Sequence, residues 1–294
     1  MESCNLCPRR CGVDRSVTAG ACGGGALARV AAAMLHYWEE PCISGTRGSG
    51  TVFFSGCPLG CCFCQNAKLS RDNFGAEVSS QRLSQIFLEL QEQGAHNLNL
   101  VSPTQYVPQI MEALALAKPQ LTLPVVYNTG GYELPETLRL LDGLVDIYLP
   151  DFKYLDSARS QKYSGAADYP AYAAAALEEM FRQTGPCRMG EDGLLRSGVV
   201  VRHLVLPGGR ADSLAIVRYL AGRYGKQILL SLMSQYTPQH YNGDYKELHR
   251  PVSSYEYNAV VALADELGMT GFMQQRTSAK PEYTPDFTLQ GVIS

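Results

Sequence analysis

The segment Cys57-Pro58-Leu59-Gly60-Cys61-Cys62-Phe63-Cys64 directly follows Ser55-Gly56 and the apolar run Thr51-Val52-Phe53-Phe54. The apolar run predicts a buried strand, and the cysteines stand on a tight loop that leaves it. Three of these cysteines are separated by three and then two residues, so their thiolates can hold three irons of a cubane cluster. Cys62 is adjacent to Cys61, and its side chain would point away if Cys61 faces the metal. The fourth iron is left without a protein ligand.

The open iron distinguishes this loop from a ferredoxin site. A ferredoxin closes its cluster with four cysteines, usually a CxxCxxC run and a distant fourth. An open iron on a Lewis-acidic cluster can instead chelate a small molecule through an amine and a carboxylate. A partial zinc site and buried apolar thiols are two other interpretations of the same cysteines. The preceding strand and Phe63 favour the cluster over both.

The composition is that of a folded globular chain with enough apolar material for one large domain. Of its 294 residues, 46% are hydrophobic and 18% are charged. The net charge of -3 and the isoelectric point near 6.0 give no electrostatic case for binding nucleic acid or a membrane surface. No stretch approaches the roughly 18 apolar residues of a spanning helix, and the polar start lacks the apolar region of a signal peptide. We therefore expect a soluble, cytoplasmic protein.

The ten cysteines indicate metal ligands rather than disulfides, because cytosolic thiols stay reduced. Besides the central loop, the pattern Cys4-x2-Cys7-x3-Cys11-x10-Cys22 lies in a glycine-rich segment with too little apolar material to fold alone. We predict a metal-stapled knuckle here. Zinc held by four thiolates is one occupant, an auxiliary iron-sulfur cluster that feeds electrons to the main one is a second, and metal-free reactive thiols are a third alternative.

Strand-like and helix-like segments alternate after the central loop. Six or seven such units in succession imply a parallel sheet, and nearly continuous apolar strands imply that both of its faces are covered. The sequence thus predicts an α/β fold, a partial (β/α)6 barrel preceded by a cysteine-rich metal knuckle. We assign residues 1–45 to the knuckle segment, 46–278 to the barrel and 279–294 to a tail. Residues 26–40 fit either a strand or a short helix.

The spacing Cys57-x3-Cys61-x2-Cys64, with Phe63 before the last cysteine, resembles the signature of the radical S-adenosylmethionine (SAM) superfamily. This resemblance implies a [4Fe-4S] cluster and SAM as cofactors and a partial barrel of the radical SAM type. It also implies that the cluster passes one electron into the bound sulfonium, which gives methionine and a 5'-deoxyadenosyl radical. Phe63 would then pack on the adenine.

Several further motifs are similar to those of pyruvate formate-lyase activating enzyme-like proteins of uncharacterised substrate. They are Asp151-x-Lys153 and residues 4–15, 44–51, 201–208 and 233–236. The resemblance implies hydrogen abstraction from a bound target, an electron donor such as flavodoxin or ferredoxin and, in one form, activation of a glycyl radical enzyme. The second-cluster insertion of many activases is absent. Modification of a small molecule or peptide is an alternative, and an iron-sulfur electron carrier or a zinc-binding interaction protein is an alternative from another class.

Polar residues that follow the predicted strands are candidates for cofactor binding, because barrels of this type place their chemistry at the carboxyl ends of the strands. Relatives often carry a Gly-Gly-Glu stretch after the second strand, where it meets the SAM amino group, and Ser102 and Thr104 stand there in this chain. Asn128 can bind the ribose or the methionine carboxylate, or cap its own loop. No catalytic acid or base is assigned. The full set of candidates is Phe63, Ser102, Thr104, Asn128, Asp151, Lys153, Arg202, Gln235 and Tyr236.

The later candidates rest on side-chain direction and charge. Asp151 and Lys153 lie two apart on an extended segment and so share a face, where a buried pair is costly unless it contacts a ligand. Arg202 is predicted to face the barrel interior and hold a carboxylate. His203 then becomes structural. Gln235 and Tyr236 can close over adenosine or substrate, or Tyr236 can simply wall the pocket.

Overall fold

The computed structural model describes residues 3–241, 243–274 and 287–293, and ten strands in this part of the chain join into one sheet. The strands are β1 (Ala28–His36), β2 (Ser49–Phe54), β3 (Ala76–Val78), β4 (Leu98–Val101), β5 (Val125–Thr129), β6 (Ile147–Pro150), β7 (Arg188–Met189), β8 (Leu195–Leu204), β9 (Leu229–Met233) and β10 (Gly271–Met273). The α-helices are α1 (Pro41–Ser44), α2 (Ala67–Ser70), α3 (Ser80–Glu92), α4 (Val107–Ala117), α5 (Pro135–Arg139), α6 (Ser157–Ser164), α7 (Tyr169–Thr184), α8 (Arg210–Arg223) and α9 (Ser254–Glu266).

The centre of the sheet is parallel, as the alternating pattern predicts. Its order is β10-β9-β8-β6-β5-β4-β2-β1-β3, with β7 paired to β8. Strands β2, β4, β5, β6, β8, β9 and β10 pair in parallel, while β1 runs antiparallel to both β2 and β3 at one edge. Helices connect the parallel strands, because parallel neighbours need a crossover. The predicted α/β fold is confirmed.

One face of the sheet packs against the helices. In α3, Leu83, Ile86, Phe87 and Leu90 recur at helical spacing and are buried, and they belong to the same apolar cluster as the strand residues of that face. The Ser79 hydroxyl accepts the Arg82 N–H and starts the helix. In the part of the chain that the structure describes, no helix has the length and apolar character needed to cross a bilayer.

The opposite face is partly filled by the connection between β1 and β2. Cys42 and Ile43 pack there against Val126, Ile147 and Val200. Because side chains alternate along a strand, Asn128 and Arg202 lie on this same face, two residues further along β5 and β8. The concave face therefore has an apolar base beneath a polar layer.

The cysteine-rich amino-terminal segment packs directly on the central cysteine loop. Arg9 donates to the carbonyls of Pro58 at 2.8 Å, Gly165 at 2.8 Å and Ser164 at 3.0 Å. The Cys57 N–H donates to the Cys22 carbonyl at 3.2 Å. The position of the central loop thus depends on backbone contacts with the knuckle segment.

Several local elements differ from the sequence expectation or complete it. The undecided stretch 26–40 contains the strand β1, and α1 lies in what the glycine and serine content suggests is a loop. The short elements α2, β3, α6 and β7 have too little periodic pattern to be predicted. Of the predicted tail, residues 279–286 and 294 lie outside the described residues, whereas the Ala33 N–H donates to the Gln290 carbonyl at 2.8 Å and so joins the described tail to β1.

A carboxylate is buried where β5 ends. Glu133 is fully buried and accepts hydrogen bonds from the hydroxyls of Thr104, at 2.5 Å, and Thr129. Burial raises the pKa of Glu133 from 4.5 to about 7 although these hydroxyl bonds oppose the shift. The folded state consequently holds a proton on this carboxyl that the unfolded chain has lost.

We expect this proton to make stability fall as the pH rises from about 4.5 to about 7. The folded pKa of Glu133 is above its unfolded value, so its contribution is fully present below pH 4.5 and is lost through pH 7, by on the order of 3 kcal/mol. The free energy of unfolding is measured with urea at several pH values. It should not show this decrease with pH in Glu133→Gln, whereas the exposed Glu92→Gln control should retain the decrease. The same pH dependence in the two variants would contradict the assignment to Glu133.

The contact between the knuckle segment and the central loop predicts that alanine substitution destabilises the protein to different extents at two glycines. Gly56 has φ +85° and a Cβ added there would overlap the Cys22 carbonyl oxygen, whereas Gly94 has φ +87° with open space around it. Gly94→Ala should lower the free energy of unfolding by the left-handed backbone cost alone, about 1–2 kcal/mol. Gly56→Ala should lower it clearly more, as measured by urea unfolding. Equal losses of unfolding free energy in the two variants would show that contact with the knuckle does not restrict residue 56.

Candidate functional site

A cavity of about 300 Å³ opens on the concave face, at the carboxyl ends of the parallel strands. The cysteine loop forms one wall, and the ends of β5, β6, β8 and β9 form the other. All but one of the residues predicted for the central cluster and SAM line this cavity, whereas the four amino-terminal cysteines do not. The predicted residues that line it are Cys57, Cys61, Phe63, Cys64, Ser102, Asn128, Asp151, Lys153, Arg202, Gln235 and Tyr236.

The cysteine loop presents three of its four cysteines to the cavity. Cys57, Cys61 and Cys64 border it, and Cys62 does not. The Cys62 backbone N–H donates to the Tyr163 carbonyl at 2.8 Å, which holds the backbone of the loop against α6 at this residue. Gly60, at φ +62°, allows the chain to turn between the first two cysteines. This is the arrangement expected for three ligands and one open position.

The chemistry of these thiols fits an iron-sulfur cluster. Burial and then the neighbouring Cys61 raise the pKa of Cys57 to about 12, and Lys153 is the cation that acts on Cys61. Cys61 is buried and Cys57 and Cys64 are half-buried, so thiolates at these positions would be stabilised by a bound cationic centre. Among the residues that the structure describes, no group of three or more His, Cys, Asp or Glu side chains is already arranged around a metal position.

Phe63 is held in an aromatic box beside the cysteines. Its ring meets those of Tyr154, Tyr163 and Tyr236 edge-on, with centroids 6.5, 6.2 and 6.1 Å away. Tyr236 is itself fixed, because its hydroxyl donates to the Leu248 carbonyl at 2.6 Å. Tyr236 lines the cavity, and both of its predicted roles, contact with adenosine or substrate and wall of the pocket, stay predictions.

A chain of partly buried charges lines the cavity wall. The Lys153 ammonium bonds Asp151 at 2.5 Å, and the other oxygen of Asp151 accepts from Arg202 Nε at 3.0 Å. Arg202 Nη1 continues the chain to Glu39 at 3.1 Å. Burial would raise the pKa of Asp151, but Arg202 and Lys153 together hold it below its usual value. This carboxyl stays ionised.

Arg202 faces the interior as predicted, and its guanidinium binds groups of the protein. Besides Asp151 and Glu39, its Nη2 donates to Asn128 Oδ1 at 2.6 Å. His203 points to the opposite face, where its ring nitrogens pair with the Phe152 carbonyl and the Ser213 hydroxyl. Arg202 therefore anchors the polar layer, and His203 is structural.

One predicted residue is absent from the cavity wall. Thr104 donates its hydroxyl to buried Glu133 and is only 2% exposed. The reason is local: Ser102 adopts φ +57°, and the chain then turns inward in the 3-10 helix Thr104–Tyr106. Of these two predicted residues, Ser102 lines the cavity and Thr104 does not.

Sequence reasoning missed the cavity residues contributed by the end of β1 and by its connection to α1. They are His36, Trp38, Glu39 and Glu40. Glu39 Oε1 accepts from Asn128 at 3.0 Å in addition to its bond with Arg202. The sequence signal available for them is the pair of adjacent carboxylates Glu39 and Glu40 after an apolar segment. Nothing in the sequence around this pair indicates that the segment lies against the concave face of the sheet.

The amino-terminal cysteines also gather in space. Cys4 and Cys7 are buried, and the Gly24 N–H donates to Cys22 Sγ at 3.4 Å. The Cys11 and Cys22 sulfurs both approach Gly20, at 3.4 and 3.6 Å from the position of a Cβ built there. The metal at this knuckle stays a prediction, with zinc and a cluster both open.

Comparison with known proteins adds evidence for the cluster. Residues 44–144 match the model of a family described as a 4Fe-4S single cluster domain, and this range contains the central cysteine loop. The match confirms the predicted [4Fe-4S] cofactor for this segment. An uncharacterized protein of Methanocaldococcus jannaschii is 25% identical over 281 residues, which cover 91% of this chain and 76% of that one.

Two solved structures share the architecture. A radical SAM methyltransferase from Sphaerobacter thermophilus aligns with a TM-score of 0.51 and 16% identity over 77% of this chain. SuiB of Streptococcus suis, solved with bound S-adenosylmethionine, aligns with a TM-score of 0.50 and 13% identity, also over 77%. The chain spans 66% and 50% of those two proteins, respectively. The chain therefore shares the partial-barrel fold of these two proteins, and the segment that matches a single-cluster 4Fe-4S domain extends from the end of α1 past α5.

Proposed function

We propose that the protein is a radical SAM enzyme. Its cluster would be held by Cys57, Cys61 and Cys64, and SAM would chelate the open iron through its amine and carboxylate. The observation that carries this proposal is the lining of the cavity at the strand ends: Cys57, Cys61 and Cys64 line it, and Cys62 does not. When bound, the reduced cluster supplies one electron to the sulfonium and so generates the 5'-deoxyadenosyl radical.

The residues of this chain would bind and orient SAM. Lys153 stands between Cys61 and Asp151, so its ammonium presents positive charge where the SAM carboxylate would lie. Ser102 and Gln235 offer hydrogen bonds along the rim. The aromatic box of Phe63 gives a rigid apolar surface for the adenine and excludes water from that side.

The reaction we propose is abstraction of hydrogen from a target at the barrel mouth, in an oxidoreductase of the pyruvate formate-lyase activating enzyme-like type. Its finer form is activation of a glycyl radical enzyme, supported by the resemblance of Asp151-x-Lys153 to the activase motif. A flavodoxin or ferredoxin would supply the electron. A pure electron carrier fits less well, because it has no use for a polar cavity beside its cluster.

Two adjacent cysteines provide a matched test. After anaerobic reconstitution and reduction with dithionite, the native protein should release 5'-deoxyadenosine from SAM. Cys61→Ala should reduce this release to the level of a protein-free sample, because a cluster with two ligands is not retained. Cys62→Ala should keep both the release and the iron of the central site, since its side chain does not border the cavity.

The iron content separates the outcomes. A native protein with a full cluster that leaves SAM intact under reduction would contradict the enzyme proposal. Equal loss of iron in Cys61→Ala and Cys62→Ala would contradict the ligand assignment. Zinc and iron counted in the same samples identify the metal of the amino-terminal knuckle.

A further inference from the structure

The base of the cavity is a pair of adjacent carboxylates that the proposed SAM site does not use. Glu39 and Glu40 lie on the connection between β1 and α1, above the apolar plug of Cys42 and Ile43, and both line the cavity. Glu39 is held by Arg202 and Asn128. We call Glu39 and Glu40 the carboxylate floor.

The carboxylate floor contains a buried acceptor without a donor. Glu40 is only 7% exposed, and its Oε2 has no hydrogen-bond partner. Buried acceptors without a donor cost free energy. Because Glu40 lines the cavity, a ligand there that donates a hydrogen bond would satisfy its Oε2.

The charges of the cavity wall point to a cationic donor. When all groups are ionised, Glu39, Glu40 and Asp151 carry three negative charges, and Arg202 and Lys153 carry two positive charges. Glu39 and Asp151 already have Arg202 as an ion-pair partner, whereas burial raises the pKa of Glu40 although Arg202 opposes the shift, so a neighbouring cation would favour the ionised form of Glu40. One added positive charge beside Glu40 balances the set.

The amino group of SAM would not fill this place. In the binding mode proposed above it would be a neutral amine bound to the open iron, so it would lie at the cysteine end of the cavity and carry no positive charge. The carboxylate floor lies at the other end of the charge chain, separated from Cys61 by Lys153, Asp151 and Arg202. A cation on the floor belongs to a second molecule.

We propose that the carboxylate floor binds the primary ammonium group of the substrate, and that the substrate is an aliphatic amine. Its N–H groups would donate to Glu40 Oε2 and to Glu39, and its carbon chain would run toward the cysteine loop past Phe53 and Phe272, which line the same cavity. This inference rests on the proposed function only in calling the bound amine a substrate. The binding site itself stands on the floor residues.

The test uses a probe pair of similar size and different charge. n-Butylammonium and n-butanol are titrated into the cluster-loaded protein with SAM present, and binding is followed by calorimetry. We expect the ammonium to bind at least about 10-fold more tightly than the alcohol. Glu40→Gln should remove that preference, and the exposed Glu266→Gln variant should retain it. If Glu40→Asp retains the preference for n-butylammonium over n-butanol, the loss in Glu40→Gln is due to the missing negative charge and not to misfolding.

Several results would overturn the inference. They are equal binding of the two probes, an unchanged preference in Glu40→Gln, and tighter binding of Mg²⁺ alone at the same residue. Release of 5'-deoxyadenosine is measured on the same samples. Release without ammonium binding overturns the amine inference and leaves the proposed function standing, whereas ammonium binding at Glu40 without release overturns the proposed function and leaves the amine site standing.

Discussion

The partly buried guanidinium of Arg202 makes the interactions on which the interior of this protein depends. It binds Asp151 after β6, Asn128 on β5 and Glu39 from the connection beneath the sheet. Taking such charges out of water is expensive, and it is repaid only when each donor has a well-placed partner. Removing one partner of a buried pair of this kind typically costs about 3–5 kcal/mol. Because the layer is charged, the concave face cannot close by apolar collapse, and a polar cavity persists beside the cysteine loop.

A second constraint sets the position of the cysteine loop itself. The Cys57 amide is bonded to the Cys22 carbonyl, and Arg9 holds the carbonyls of Pro58 and Ser164. The amino-terminal knuckle and the central loop therefore share one hydrogen-bonded framework. Any metal that orders the knuckle would also order the loop, whichever metal it is. Both ends of the cavity are thus fixed from outside the barrel strands, by the knuckle at the loop and by Glu39 at the base.

The features that were predictable from sequence are those whose chemistry is local. The cysteine spacing needs only eight residues, and the parallel strands follow from apolar runs alternating with amphipathic helices. The inward direction of Arg202 and the outward direction of His203 follow from alternation along one strand. Thr104 was assigned wrongly to the cavity wall, because the positive φ of Ser102 turns it toward Glu133. The role of Glu39 could not be predicted, because its partner Arg202 is 163 residues away in the chain.

The central claim is that SAM binds directly to the open iron of the central cluster. The most direct measurement is electron paramagnetic resonance of the reduced, cluster-loaded protein, with electron-nuclear double resonance on SAM labelled with ¹⁵N at its amino group. Direct chelation predicts that SAM shifts the g-values and that the label shows hyperfine coupling to the cluster. An unchanged spectrum without coupling, in a protein with a full cluster, would contradict the account.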